Sequence, residues 1–180
     1  KNRTLFRIFG IPIKMNPSWL LILGLVVWSL ASLFFPQQPE LKDLSTFDYW
    51  VMAVIGAFGL FASLIAHELA HSLVARRTGM PVSGVTLFIF GGVSELQEEP
   101  PDPVAEFFMA IVGPVSSVVI GLLFLMAWGA MEYLEGSKSA AAVLKYLMFI
   151  NFALAFFNSI PAFPLDGGRV LRSILWGITD

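Results

Sequence analysis

The stretch IAHELAH, residues 65–71, lies at the end of an uncharged apolar run that covers residues 50–66. Residues four apart fall on one face of a helix, so His67 and His71 can bind one metal ion through their imidazoles. Glu68 lies between them, where it can act on a water molecule at that metal instead of binding the metal. The pattern predicts a zinc hydrolase. Its position in an apolar segment predicts that the chemistry takes place within a membrane.

The composition excludes an ordinary soluble domain. Of the 180 residues, 57% are hydrophobic and 13% are charged, whereas soluble domains carry about a quarter charged residues. The net charge is −2 and no basic surface is evident, so we expect no nucleic-acid partner. Cysteine is absent, so any zinc ion must be held by histidine, aspartate or glutamate.

Four apolar segments are long enough to cross a lipid bilayer, whose hydrocarbon core takes about 20 helical residues. We therefore predict an α-helical polytopic membrane protein. The predicted spans are residues 18–35, 47–77, 104–131 and 140–160, and an apolar helical pattern resumes at residues 170–178. The basic N-terminal segment, residues 1–14, is interpreted as a juxtamembrane arm in the headgroup layer.

Strand-forming residues occupy the region between the second and third predicted spans. Residues 82–96 favour two short strands around a glycine turn at Gly91 and Gly92, which predicts a membrane-associated β-hairpin. An exposed strand edge can pair with an unwound peptide segment. We therefore predict a substrate-binding role for the hairpin, carried by Leu87, Phe88, Ile89, Phe90, Gly91 and Gly92.

The distribution of lysine and arginine predicts the topology. Basic residues in segment 1–14, at Arg76 and Arg77, and at Arg169 and Arg172 all belong on one side if the spans alternate. Positive charges favour the cytoplasmic side. We expect a multi-pass protein of the cytoplasmic membrane, with the N-terminus and the metal motif toward the cytoplasm.

A third metal ligand must come from outside the histidine motif. Asp166 is the best candidate, because it lies on the same predicted side and follows a segment in which Pro161 and Pro164 break the helix. Gly167 and Gly168 are expected to add backbone freedom there. Glu95 and Glu106, near the start of the third span, stay open as alternatives.

Each of these residues also has a structural interpretation. Asp166 can be a turn carboxylate before Gly-Gly, Asn158 can make a helix-to-helix hydrogen bond, and Arg169 can be an interface anchor. A central charge in a bilayer costs at least about 2.5 kcal/mol on insertion scales. A membrane helix that carries two histidines and a glutamate together is therefore expected to bind a metal.

Two paired motifs resemble those of a known family. The stretch HELAH, residues 67–71, together with FNSIPAFPLDGGR, residues 157–169, is similar to the site-2 protease family of intramembrane zinc metalloproteases. FGGV at residues 90–93 and IVGP at residues 111–114 match the same family in the expected order. The resemblance covers nearly the whole chain. It implies that His67, His71 and Asp166 are Zn²⁺ ligands, that Glu68 is the general base, and that Asn158 helps to hold the oxyanion.

The resemblance also implies a substrate and a domain organisation. Family members take part in regulated intramembrane proteolysis, and they often cut membrane-bound regulators of transcription such as anti-sigma factors. The best match is to a bacterial and archaeal group that often carries two further spans and paired CBS domains. Since the chain starts at Lys1 and stops at Asp180 just after an apolar run, we expect residues 1–180 to be a single intramembrane protease core domain from a longer protein.

Two competing functions are considered. A membrane metal transporter or metal-binding protein also uses intramembrane histidines and carboxylates, but such residues then recur along a pathway across several spans. An inactive family member could act as a membrane scaffold. The chain keeps Glu68 and every candidate ligand, so nothing in the sequence supports inactivity.

Overall fold

The computed structural model describes residues 3–88, 91–96 and 100–179. The protein is mostly helical, and four of its helical stretches are long and apolar enough to cross a membrane. The predicted polytopic helical class with a small sheet is confirmed. The elements are β1 (Arg3–Ile8), β2 (Ile11–Met15), α1 (Trp19–Ser29), α2 (Thr46–Arg77), β3 (Val82–Phe88), β4 (Gly91–Leu96), α3 (Pro103–Tyr133), α4 (Lys138–Asn158) and α5 (Asp166–Thr179).

Capping side chains fix where the long helices begin. At the start of α2, the Ser45 hydroxyl accepts a hydrogen bond from the Asp48 amide, and the Asp48 carboxylate accepts one from the Ser45 amide at 2.9 Å. This reciprocal pair satisfies two backbone donors that have no partner within the helix. Asp102 caps α3 in a similar way, by accepting from the Ala105 amide at 2.8 Å. Both helices therefore begin at polar residues just outside their apolar spans.

The sheet contains four strands in the order β1-β2-β3-β4. β1 pairs antiparallel with β2, β2 pairs parallel with β3, and β3 pairs antiparallel with β4. The predicted hairpin is present, but Gly91 and Gly92 begin β4, opposite Phe88 and Leu87, and do not form its turn. Ile89 and Phe90, which connect the two strands, lie outside the described residues.

Most of the N-terminal segment, which was predicted to be an interfacial arm, forms the strands β1 and β2. Ile11 and Ile13 alternate with Pro12 and Lys14, so both isoleucines face the same side of the strand. They are 2% and 0% exposed and pack on Leu69 of α2. Burial of this apolar pair attaches the segment to α2.

Helix α2 presents two different faces. Phe61, Ile65 and Leu69 pack against the sheet and α1, in clusters that include Trp19 and Val85. A second face carries buried polar residues at four-residue spacing, namely Ser63, His67 and His71. The helix thus separates the sheet from the helical interior and directs both imidazoles inward.

Large apolar side chains remain exposed on the outer faces of the spans. Examples from all four spans are Leu21, Phe58, Met126 and Phe149. In water such a surface would be unfavourable, whereas lipid tails cover it at no cost. The exposed pattern agrees with the four candidate spans.

Candidate metal centre

Three ionisable side chains from α2 and α5 meet in the helical interior. His67 Nε2 lies 3.1 Å from Asp166 Oδ2, and His71 Nε2 lies 3.2 Å from the same oxygen. The two Nε2 atoms are 3.2 Å apart. The side chain of His67 is 3% exposed, that of His71 is 6% exposed and that of Asp166 is 14% exposed. Among the described residues they are the group that could hold a metal ion.

The triangle of donor atoms matches one face of a tetrahedral zinc site. Zinc bonds of about 2.0–2.1 Å at tetrahedral angles require ligand atoms about 3.3 Å apart. The observed separations of 3.1–3.2 Å are close to this value. Two imidazoles and one carboxylate are also the donor set of catalytic zinc sites, which keep a fourth position open.

Helix α3 orients both imidazoles. His71 Nδ1 donates a hydrogen bond to the Met109 carbonyl at 2.6 Å, which places its Nε2 on the side of the other two donor atoms. His67 Nδ1 contacts the Ser117 hydroxyl at 2.9 Å, which leaves its Nε2 directed at the same point. Partners of this kind fix the ring orientation of metal-binding histidines.

Gly113 of α3 supplies the space beside the donors. A Cβ atom added at Gly113 would collide with the His71 imidazole and would lie 2.7 Å from His67 Nε2. The missing side chain therefore lets the α3 backbone lie close against both imidazoles. Helices α3 and α2 thus approach each other closely at this glycine. The donor set and its spacing show that the residues present fit a bound metal ion.

We expect Gly113→Ala to lose the metal, because the methyl group occupies space in contact with both imidazoles. Bound zinc should fall by at least about 10-fold, the lower end of the effect of disturbing the surroundings of a metal site. Gly129→Ala in the same helix is the control, since a Cβ there meets nothing within 4 Å. Metal analysis of both purified variants checks the prediction, and wild-type zinc in Gly113→Ala would contradict it.

Asp166 reaches the histidines because the chain turns sharply between α4 and α5. Asp166 is the first residue of α5. A Cβ at Gly167 would collide with the Ser159 and Ile160 carbonyls, and a Cβ at Gly168 would lie 2.8 Å from the Ala162 carbonyl oxygen. Neither glycine has a positive φ. The two glycines thus permit close backbone packing, and the expected extra backbone freedom is not their role.

The electrostatics of Asp166 favour the carboxylate form. Burial raises its pKa, but the hydrogen bonds and charges of His67 and His71 lower the pKa more, so the net pKa lies well below the usual range of a carboxyl group. An ionised carboxylate is the form that binds a metal. Asp166 begins α5, which is not among the four candidate spans.

The other predicted site residues that the structure describes lie on α2, α4, β3 and β4, and the donor group does not include them. Glu68 follows His67 directly in α2 and is half-buried. Asn158 is the last residue of α4, and its amide donates a hydrogen bond to the Leu154 carbonyl at 2.9 Å, within its own helix. Leu87 is 1% exposed and packs on Trp19 and Phe61. Phe88 is half-buried at the end of β3.

The two alternative ligands have different positions. Glu106 is 0% exposed and lies 2.6 Å from the Arg172 guanidinium. It does not belong to the donor group formed by His67, His71 and Asp166. The backbone of Glu95 lies in β4, opposite Gly84.

Sequence reasoning did not single out Met109 or Ser117. Both lie on one face of α3 with Gly113, at spacings of four residues. The buried Ser117 hydroxyl in an apolar helix was the available signal, because a polar group in a membrane span needs a partner. The Met109 contact uses a backbone carbonyl, which carries no sequence signal.

Comparison with known proteins identifies the family. The model of peptidase family M50 matches residues 55–133 and 129–180. A provisionally named zinc metalloprotease from Synechocystis is 46% identical over 96% of this chain and 44% of the relative. Another, from Mycobacterium tuberculosis, is 40% identical over 94% of this chain and 42% of the relative. The chain belongs to peptidase family M50, the site-2 protease family.

A solved structure agrees with the observed fold. The site-2 protease from Methanocaldococcus jannaschii superimposes with a TM-score of 0.64 at 30% sequence identity, over 97% of this chain and 72% of that chain. The present chain therefore spans less than half the length of the curated relatives cited above and most of the solved structure.

Proposed function

We propose that this chain is the core domain of an intramembrane zinc metalloprotease, which hydrolyses a peptide bond within or near a transmembrane segment of its substrate. The observation that carries the proposal is the buried triangle of His67, His71 and Asp166 between membrane-length helices. Membership of the M50 family supports the assignment to peptide hydrolysis. We assign His67, His71 and Asp166 as the zinc ligands.

Zinc held by these residues supplies Lewis acidity, which polarises a carbonyl group and makes a water molecule easier to deprotonate. Glu68 is the general base, which takes a proton from the attacking water and delivers it to the leaving amine. Glu68 is half-buried in the same turn of α2 as His67 and His71, and it is not one of the three donors. Burial of both imidazoles excludes bulk water, which strengthens the electrostatic interactions inside the site.

Asn158 is proposed to donate a hydrogen bond to the oxyanion that forms on the substrate carbonyl. A carboxamide carries two N–H donors, and the Leu154 carbonyl uses one of them. The second can therefore stabilise a developing negative charge without loss of the existing hydrogen bond.

The orientation follows from the positive charges at the end of α2. His71 precedes Arg76 by five residues, or about 7.5 Å along the helix axis. Arg76 and Arg77 form the last turn of α2 and are exposed. Because such charges favour the cytoplasmic side, we propose that the active site opens toward the cytoplasm in the cytoplasmic membrane.

A transmembrane substrate must unwind locally before its backbone is accessible, because a helix in lipid satisfies its own hydrogen bonds. Of the residues predicted to bind substrate, Leu87 and Phe88 lie in β3, whereas Gly91 and Gly92 begin β4. β3 is paired on both sides, with β2 and with β4, so its backbone has no open edge. β4 is the last strand in the sheet order, and we propose that the unwound segment pairs with its outer edge.

Proline substitution in β4 should slow cleavage without removing zinc. Backbone N–H groups alternate between the two sides of a strand. Val93 and Ser94 are neighbours in β4, so one of their N–H groups points to the outer edge and the other points to β3. Val93→Pro and Ser94→Pro therefore remove one group of each kind. We expect at least about 10-fold slower cleavage for the outer-edge variant, because each lost substrate hydrogen bond contributes about 0.5–1.5 kcal/mol and the ring also blocks the edge. Cleavage assays with metal analysis check this, and wild-type rates in both variants would contradict it.

The natural substrate is proposed to be a membrane-bound protein cut in regulated proteolysis, for example an anti-sigma factor or another membrane-bound regulator of transcription. The lipid bilayer is the other partner. The proposal concerns a substrate class.

A metal transporter is the competing function, and reconstituted vesicles discriminate between the two. We expect the wild-type protein, at a length comparable to that of its relatives, to cleave a transmembrane substrate. Cleavage should stop when a chelator removes zinc and should resume when zinc is added. Zinc flux across the vesicle membrane without substrate cleavage would contradict the protease assignment.

A further inference from the structure

A buried carboxylate on α3 contacts two arginines of α5. Glu106 lies in the first turn of α3 and is 0% exposed. Arg172 Nε donates to Glu106 Oε1 at 2.9 Å and to Oε2 at 3.0 Å, and its Nη2 lies 2.6 Å from Oε1. Arg169 Nε lies 3.8 Å from the same carboxylate. Such two-pronged arginine–carboxylate contacts fix geometry as well as charge.

The same helix α5 carries Asp166. Asp166, Arg169 and Ser173 follow one another at spacings of three and four residues, so they share one face of α5. Ser173 is 2% exposed, which places this face against the protein interior. The rotation of α5 about its axis therefore sets the direction of the Asp166 carboxylate and of both arginines together.

Helix α3 carries the complementary set of contacts on one face. Glu106, Met109, Gly113 and Ser117 are spaced by three, four and four residues, and all four are buried. Glu106 contacts α5, while the Met109 carbonyl and the Ser117 hydroxyl contact the imidazoles of α2. Met109 also links the two groups, because its sulfur lies 4.0 Å from Arg169 Nη2. One face of α3 thus contacts both elements that provide the three donors.

Much of the apolar surface of α5 is exposed. The helix has 14 residues, and its Leu175 and Ile178 side chains are 54% and 75% exposed. Apolar contacts between helices tolerate sliding and rotation, whereas a buried charge pair has few acceptable geometries. The position of Asp166 relative to His67 and His71 must nevertheless be held to within about 0.5 Å for metal binding.

We propose that Glu106 and Arg172 are positioning residues that hold α5 in register against α3, so that the Asp166 carboxylate meets the two imidazoles. The inference rests on the proposed metal site. Glu106, an alternative ligand by sequence, acts in this account through Arg172 and not by contact with the metal. Arg169 supports the same register through Glu106 and Met109.

Cobalt binding to the purified, metal-free protein in detergent tests the proposal, since the visible spectrum of Co²⁺ reports its coordination geometry. We expect Glu106→Gln and Arg172→Gln to weaken Co²⁺ binding by about 10–100-fold and to change the spectrum. Arg172→Lys keeps the charge without the planar fork, so we expect partial rescue. Asn151→Leu is the matched control, because it removes a buried polar contact of α4 with Ser63 that does not involve α5.

Wild-type affinity and spectrum in both glutamine variants would overturn the proposal, even if both variants melt at lower temperature. If the single variants do not fold, Glu106→Met combined with Arg172→Met replaces the ion pair by apolar volume. We expect this double variant to fold with weakened Co²⁺ binding, and unchanged binding would again overturn the proposal. Absence of Co²⁺ binding in the wild type would instead contradict the metal site itself.

Discussion

Glu68→Gln is expected to abolish peptide-bond cleavage while the protein keeps one zinc ion per chain. The substitution removes the proton acceptor and preserves the size of the side chain. General-base catalysis contributes about 10²–10⁴-fold to a rate, so we expect a loss of at least about 10²-fold. Zinc is expected to stay bound because the three donors are His67, His71 and Asp166, and Glu68 is not among them. Cleavage rates of a transmembrane substrate and metal analysis on the same sample provide the measurement.

Glu132→Gln is a suitable control for the Glu68 experiment. Glu132 lies near the end of α3, where its carboxylate accepts a hydrogen bond from Trp128 at 3.0 Å. The Glu132→Gln variant therefore loses a glutamate carboxylate that lies outside the site. We expect this variant to cleave the substrate at the wild-type rate. If Glu68→Gln still cleaves at the wild-type rate, the assignment of the base is wrong.

Asp166→Ala is expected to release the metal. The chain contains two histidines and no cysteine, so a three-ligand zinc site needs a carboxylate. Removal of Asp166 leaves only two nitrogen donors, 3.2 Å apart. Loss of an orienting partner alone weakens metal binding by about 10–100-fold, and the loss of a direct ligand should exceed that range. Competition with a chelator of known zinc affinity measures the change.

Asp48→Asn provides the comparison for Asp166→Ala. Asp48 caps the opposite end of α2 through Ser45, so its substitution weakens a helix cap without changing the donors. We expect zinc affinity equal to that of the wild type. If Asp166→Ala bound zinc as tightly as the wild type, another carboxylate would have to be the third ligand. Glu95 and Glu106 would then be the candidates.

Much of the helical architecture could be predicted from the sequence, because apolar run length is a direct physical requirement of a bilayer. The four-residue spacing of His67 and His71 similarly forces both imidazoles to one helix face. The N-terminal hairpin was missed although Ile11 and Ile13 alternate with less buried residues and Phe9-Gly10 forms its turn. The basic residues of this segment favoured an interfacial arm without regular structure, and its position in the headgroup layer stays a prediction.

The surroundings of the donors could not be predicted, because they depend on which helix packs beside which. The Met109 carbonyl and the space left by Gly113 become meaningful only when α3 lies against α2. The sequence allowed Glu106 as a metal ligand, because a carboxylate in a membrane helix needs a partner. Its partner is an arginine 66 positions later in the chain, and no local pattern links the two.

The central claim is that His67, His71 and Asp166 hold one catalytic zinc ion between membrane-spanning helices. The most direct test measures zinc per chain and cleavage together, in wild type, Glu68→Gln and Asp166→Ala purified in parallel. The account predicts about one zinc with cleavage in the wild type, about one zinc without cleavage in Glu68→Gln, and neither in Asp166→Ala. Full zinc occupancy in Asp166→Ala, or cleavage by Glu68→Gln, would contradict it.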